Sequence, residues 1–140
     1  MTEQKKITEA PFKFKDFIIA ESSIKLKPNT KGRTIDIEIK PSGVIYEEKK
    51  LFEIQLLINL KSEDGLEVSV KMIGFFEFKG VVEKKDLKNY FYVNAPAIVF
   101  PYLRSYISAL TALSGCKTII LPPINIIPLG KDLEANTISK

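Results

Sequence analysis

The sequence contains no histidine and only one cysteine, Cys116. Without histidine the chain lacks the most common general base and the most common metal ligand. Cys116 has no partner for an internal disulfide and no histidine that would activate its thiol as a nucleophile. The chain also lacks a glycine-rich phosphate loop and a metal-ligand spacing. We therefore predict that the protein is not an enzyme and uses no cofactor or metal ion.

Long apolar runs are also missing, since none approaches the roughly 18–20 residues that span a bilayer. The beginning of the chain, MTEQKKITEAPFKFK, lacks the apolar core of a signal peptide. The formal net charge of +4 is spread along the sequence, whereas nucleic-acid binders gather their basic residues on one face. A single cysteine fits a reducing compartment. We expect a cytoplasmic protein with no nucleic-acid partner and no stable membrane insertion.

Alternating apolar and polar residues predict an antiparallel sheet in the first half of the chain. The clearest strands are predicted at Thr34–Lys40, Leu51–Lys61 and Leu66–Lys79, after a first strand that starts at Phe12. The pattern of that first strand shifts phase near Asp16, which suggests a bulge. Pro41-Ser42-Gly43 is expected to end the second strand, and Gly65 to take a positive φ in a hairpin. We predict a four-stranded meander.

The segment Val93–Leu129 predicts one long helix followed by an apolar extension. Asn94 is a candidate N-cap, Pro96 fits the first turn, and Gly115 is placed to end the helix. Apolar residues form one face: Leu103, Tyr106, Ile107, Leu110 and Leu113. The other face is small and uncharged: Ser105, Ser108, Ala109, Thr111 and Ala112. Because a solvent-exposed helix would carry charges there, we predict that a second copy of the chain covers it.

Together these elements predict an α+β fold in which a four-stranded antiparallel sheet has a long helix packed on one face. The length fits a single domain over residues 1–140. Residues 1–10 and 130–140 are expected to be flexible tails. The remaining apolar residues exceed what one sheet and one helix can bury, and a contiguous exposed apolar surface marks a binding site. Such a surface can accept an extended polypeptide through main-chain pairing and loose pockets.

A family resemblance sharpens this expectation. The run NAPAIVFPYLR at Asn94–Arg104, followed by Leu121-Pro122-Pro123-Ile124-Asn125, resembles the signature of SecB, the bacterial protein-export chaperone. Ile126 stands where the family usually has phenylalanine. The resemblance implies a homotetramer, a dimer of dimers, that holds unfolded precursors without ATP and passes them to the SecA motor. It also implies that clients contact Ile35, Ile37 and Ile39.

The predicted sites combine the resemblance with the apolar surplus. Client binding is predicted at Ile35, Ile37, Ile39, Ile45, Tyr46, Phe75 and Tyr92. The oligomer interface is predicted at Leu103, Tyr106, Ile107, Leu110 and Leu113. Burial in the chain's own core is the alternative for each of these residues.

The chain also departs from the family. Only a short tail, Ile124–Lys140, follows Pro123, and its terminus is basic. Lys131–Ser139 could form at most a turn or two of helix, whereas the family usually has a longer second helix and an acidic end. Typical members are also acidic overall, unlike this chain of net charge +4. These departures call the interaction with SecA into question and open an alternative, a SecB-like chaperone dedicated to one client, such as the antitoxin of a toxin–antitoxin pair. An adaptor for a folded partner and a carrier of an apolar small molecule or lipid are the alternatives outside the chaperone class.

Overall fold

A computed structural model describes residues 11–30, 34–79 and 84–140. The predicted tail at residues 1–10 lies outside this range. The strands are β1 (Phe12–Lys25), β2 (Ile35–Tyr46), β3 (Leu51–Ser62), β4 (Glu67–Phe78) and β5 (Thr137–Ser139). The helices are α1 (Lys84–Asn89), α2 (Ala95–Ala112) and α3 (Ile126–Ala135), with a π-helical turn at Tyr90–Asn94 between α1 and α2. The α+β fold with a sheet and a long helix is confirmed.

The sheet has five strands in the order β1-β4-β3-β2-β5. The first four pair antiparallel, as predicted, but β5 pairs parallel with β2. The predicted meander is correct for β2, β3 and β4 and wrong for β1, which lies beside β4. Pro28-Asn29, a dipeptide typical of turns, does form a turn in which the φ of Asn29 is 70°, but β1 pairs with β4 and not with the next strand along the chain. The predicted bulge is confirmed by the register shift between Phe14 and Asp16.

Strand β2 continues through Pro41 and Gly43, so the predicted break at these residues is wrong. Proline is tolerated because β2 has an outer edge on which a missing main-chain N–H breaks no ladder hydrogen bond. Gly43 is required for close packing: a Cβ there would lie 2.8 Å from Oγ1 of Thr137 in β5. Pro41 and Gly43 are therefore compatible with a strand because β2 lies near the edge of the sheet. The alternation of residues within β2 could not predict this.

The core lies between one face of the sheet and the helices. Alternate residues of β3 and β4 point into it and are completely or almost completely buried: Phe52, Ile54, Leu56, Ile58, Leu60, Val68, Val70, Met72, Phe76 and Phe78. This confirms the inward sets that alternation predicts for both strands. From the helical side Val99, Leu103 and Ile107 of α2 complete the core. We call the sheet face that carries these residues the helix-side face, and the opposite one the open face.

Helix α2 differs from the prediction in three respects. It continues directly from the π-helical turn, so Asn94 has helical φ and ψ and makes no capping hydrogen bond with its side chain. Leu103 and Ile107 are 0% exposed within the single chain, so their assignment to an oligomer interface is wrong. Thr111 lies on the buried face and not on the small, uncharged one.

The hydroxyl of Thr111 joins α2 to the segment that follows it. It donates to the carbonyl oxygen of Ile107 at 2.9 Å and accepts from the N–H of Ile119 at 2.9 Å. The hydroxyl of Ser108 donates to the Ile119 carbonyl oxygen at 2.9 Å. After Gly115, whose φ is 90°, the chain therefore turns back, and Ile119 is bound to α2 through both its N–H and its carbonyl oxygen.

The end of the chain is ordered, so the predicted flexible tail at residues 130–140 is wrong. The ten-residue helix α3 is capped by Asn125, whose side chain accepts from the N–H of Ile127 at 3.3 Å. Leu129 and Leu133 anchor it in the core. Gly130 allows it to approach the π-helical turn, because a Cβ at this position would lie 2.3 Å from the carbonyl oxygen of Tyr92.

Candidate functional site

The outer edge of β2 is the main candidate for a binding site. On this side β5 pairs only with Gly43–Ile45, and within the described ranges no strand pairs with residues 35–42 there. The N–H of Gly43 donates outward to the Asn136 carbonyl oxygen at 3.2 Å, and the Ile45 carbonyl oxygen accepts from the N–H of Lys140 at 2.8 Å. Main-chain groups alternate in direction along a strand. Since β2 pairs with β3 without a register shift, the N–H and C=O groups of residues 35, 37 and 39 also point outward.

Pro41 limits this edge. By the same alternation its nitrogen points outward, but proline has no N–H to donate. The donors available to an added strand are therefore those of Ile35, Ile37 and Ile39. Beyond Pro41 the edge is occupied by β5. The free edge thus matches a short extended segment of polypeptide.

Apolar side chains accompany the free main-chain groups. Ile35, Ile37 and Ile39 pair across the strand with Ser62, Leu60 and Ile58, which places the three isoleucines on the helix-side face. They lie at its rim, where Ile37 is 40% exposed and the other two are half-buried. An extended chain that paired with the edge would bury them, and apolar burial contributes about 25 cal/mol per Å².

Two grooves continue the edge. One, of about 640 Å³, is lined by Glu38–Ser42 together with Gln55, Leu57, Asp132 and Asn136. The other, of about 310 Å³, lies between Ile35 and residues 117–120, where Ile120 is 67% exposed. Charges of both signs surround them: Glu38 pairs with Lys40 at 3.4 Å, and Lys117 and Asp132 lie at opposite ends. The site is therefore suited to binding the main chain and apolar side chains of a polypeptide, and it does not select for clients of one charge.

The structure does not bring all predicted client-binding residues together. Ile45 shares the face of Ile35, Ile37 and Ile39 but lies where β5 covers the edge. Tyr46 pairs with Leu51, and Phe75 pairs with Glu53, so both lie on the open face. Successive side chains of a strand point to opposite faces. Had β2 been predicted to continue to Tyr46, this alternation would have placed Tyr46 on the face opposite to Ile35, Ile37 and Ile39. Residues 117–120 and Asn136 were not among the predicted client-binding residues, because only tertiary packing brings them to the edge.

Tyr92 lies in the π-helical turn, beside Glu134 of α3 and Thr137 of β5, and it lines neither groove at the free edge. Burial raises the pKa of its phenol, and the negative charge of Glu134 acts in the same direction, whereas a hydrogen bond with the Thr137 side chain opposes the shift. The phenol therefore stays neutral at physiological pH. The sequence did not indicate this position of Tyr92 beside the start of β5.

A second surface is formed by the outward side of α2 and the outer edge of β1. Of the predicted interface residues, Leu113 is 87% exposed and Tyr106 and Leu110 are half-buried. Exposed or partly exposed residues without charge continue this side: Ile98, Tyr102, Ser105, Ala109 and Ala112. In the described part of the chain β1 pairs only with β4. The tilted rings of Phe17 in β1 and Tyr102 in α2 pack with centroids 4.8 Å apart, which joins the two elements into one surface.

Neither a membrane span nor a metal centre is found in the part of the chain that the structure describes. No helix there combines the length and apolar character needed to cross a bilayer. Residues 11–30, 34–79 and 84–140 likewise contain no group of three or more potential metal ligands among histidine, cysteine, aspartate and glutamate.

A sheet covered on one face by a long helix is a fold shared with a SecB-like chaperone. The sequence profile of the family described as preprotein translocase subunit SecB matches residues 19–132. The chain therefore belongs to the SecB family. This is a family of chaperones and not of enzymes, and family and fold together support a chaperone role.

Individual relatives agree with this assignment. The chain is 26% identical over 106 residues to the protein-export protein SecB of Azoarcus sp. (strain BH72), covering 72% of this chain and 69% of the relative. It is 38% identical over 69 residues to the uncharacterized protein MJ0357 of Methanocaldococcus jannaschii, a match that spans 48% of this chain but only 43% of the length of that protein.

The fold is also found in a solved chaperone structure. The Mycobacterium tuberculosis SecB-like chaperone Rv1957, in complex with a ChAD peptide from the HigA1 antitoxin, aligns with a TM-score of 0.69. The alignment covers 82% of this chain and 88% of the other at 16% sequence identity. At this identity the similarity concerns the fold.

Proposed function

We propose that the protein is an ATP-independent holdase that binds unfolded polypeptides along the outer edge of β2. The observation that carries the proposal is the edge itself, where outward main-chain groups at residues 35, 37 and 39 coincide with partly exposed isoleucine side chains. Addition of a strand to a free edge supplies affinity through main-chain hydrogen bonds that do not depend on the client's sequence. The apolar side chains select segments that a folded protein would bury.

The proposal includes a homotetramer built as a dimer of dimers. The outward side of α2, a helix whose one charged residue is Arg104, supports it together with the edge of β1 that no described strand pairs with. Exposed strand edges and apolar surfaces of this kind are normally covered. Each subunit would then contribute one free β2 edge. Weak contacts at several edges bind one long client by avidity, since every contact after the first is intramolecular.

The client determines which chaperone role the protein serves. In the first, the holdase keeps precursors export-competent in the cytoplasm for the Sec pathway and its SecA motor, as the name of the matched family suggests. In the second, it protects a single client such as an antitoxin. The second is favoured by the structural similarity to Rv1957, which was solved with an antitoxin peptide, and by the net charge of +4.

The proposal is tested by suppression of aggregation. A chemically denatured protein is diluted into buffer with and without the purified chaperone, in the absence of ATP, and turbidity is followed while light scattering gives the mass of the chaperone. We expect turbidity to fall in proportion to added tetramer. A stable tetramer that protects no unfolded protein would contradict a general holdase and direct the search to one dedicated partner. Copurification of an apolar small molecule would support a carrier.

A further inference from the structure

The outer edge of β2 is free at residues 35–42, but at the next residues, Gly43–Ile45, it is paired with β5 of the same chain. Strand β5 pairs parallel with Gly43–Ile45 and so lies in line with the position proposed for a client. The bonds at Gly43 and Ile45 show that the outward groups of this edge accept an added strand. A client segment that extends past Pro41 must therefore stop at β5 or replace it.

Strand β5 is held more weakly than the rest of the sheet. It has only three residues, and Ile138 is 55% exposed. A side-chain hydrogen bond holds its first residue, where the Thr137 hydroxyl donates to the Leu133 carbonyl oxygen at 2.5 Å. Segments with few buried contacts and few hydrogen bonds open first, at a small fraction of the free energy of global unfolding.

We propose that β5 is a displaceable internal occupant of the client edge, which competes with long clients for Gly43–Ile45. This inference rests on the proposed holdase function. With β5 in place the edge offers only the groups before Gly43, and with β5 released it extends through all of β2, Ile35–Tyr46. A protein whose binding-competent state is only fractionally populated shows an affinity reduced by that fraction. Weakening β5 should therefore strengthen the binding of clients long enough to use the whole edge.

The geometry supplies a matched pair of variants. Every second residue of a strand directs its N–H and C=O to the same neighbouring strand. Asn136 and Lys140 both bond to β2, so Ile138, two residues from each, also faces β2. Because of this, Ile138→Pro removes a ladder N–H. The N–H of Ser139 points away from β2, and Ser139→Pro therefore leaves the ladder intact. Neither variant alters Ile35, Ile37 or Ile39.

The test is the binding of a fluorescein-labelled, reduced and carboxymethylated polypeptide, followed by fluorescence anisotropy with wild type and both variants. We expect Ile138→Pro to lower the Kd by about tenfold and Ser139→Pro to leave it unchanged. In the wild type, amide hydrogen exchange at Ile138 and Lys140 should become faster when the polypeptide is added, while Gly43 and Ile45 stay protected.

Each other outcome overturns the inference. If wild type and Ile138→Pro bind the polypeptide equally well, β5 does not compete, although the holdase proposal stands. If Ile138→Pro binds more weakly while its melting temperature is unchanged, β5 is part of the client site. If the wild type does not bind the polypeptide at any concentration, the proposed function fails together with the inference.

Discussion

Replacement of Ile37 by aspartate is expected to abolish the holding of unfolded clients while the fold remains intact. Ile37 is 40% exposed at the centre of the free edge, so its substitution leaves no cavity in the core. A client loses the burial of the exposed part of this side chain, which is worth about 1 kcal/mol. This corresponds to roughly a fivefold loss of affinity per edge, multiplied over the edges that one client contacts. Desolvation of the new carboxylate increases the loss.

The measurement is the Kd for a labelled unfolded polypeptide, together with the melting temperature of the variant. Ile127→Asp is the matched control, because Ile127 is 70% exposed on α3 and lines neither groove beside β2. It should bind clients like the wild type. If Ile37→Asp melts at a much lower temperature, Ile37 belongs to the core. If it folds and holds clients normally, the free edge is not the client site.

Replacement of Ala109 by glutamate is expected to split the tetramer. Ala109 is exposed on the outward side of α2, so a single chain tolerates glutamate, which is a good helix former. Within the proposed interface the same carboxylate would be buried without a partner, and an unpaired buried charge costs about 3–5 kcal/mol. Subunit dissociation should therefore become stronger by on the order of a hundred- to a thousandfold.

Light scattering across a range of protein concentrations measures this effect. Ala135→Glu introduces the same change at an exposed position near the end of α3, outside the proposed interface, and should leave the mass unchanged. Ala109→Glu should yield smaller species with native circular dichroism. A tetramer of unchanged mass in the Ala109→Glu variant would exclude the outward side of α2 from the interface.

The sequence predicts well what depends on local periodicity. Alternation identified the inward residues of β3 and β4, and the phase shift near Asp16 located a bulge, because both follow from the geometry of a single strand. The choice of β4 as the partner of β1 depends on an edge formed elsewhere in the chain. Helical spacing grouped Leu103 with Leu113, although one is fully buried and the other 87% exposed. Periodicity predicts which residues share a face of the helix. Which of them are buried depends on how much of that face the sheet covers.

The candidate site was only partly accessible to sequence reasoning. The positions carried over by the resemblance, Ile35, Ile37 and Ile39, do lie together, on one strand and one face. Their free main-chain groups could not be predicted, since these depend on what pairs beside β2. A proline and a glycine suggested that β2 ends early, and the short segment after Pro123 suggested a flexible tail. In the structure these features belong together, because Gly43 gives β5 room to pair with the edge.

The most direct test of a client edge on β2 is amide hydrogen exchange of the chaperone with and without an unfolded polypeptide. The amides of Ile35, Ile37 and Ile39 point outward and should become protected when the client binds. Those of Asp36 and Glu38 point toward β3 and serve as internal controls, whose exchange should not change. Protection of the three isoleucine amides would support the edge as the client site. Unchanged exchange at all three, in a sample where the client is fully bound, would contradict it.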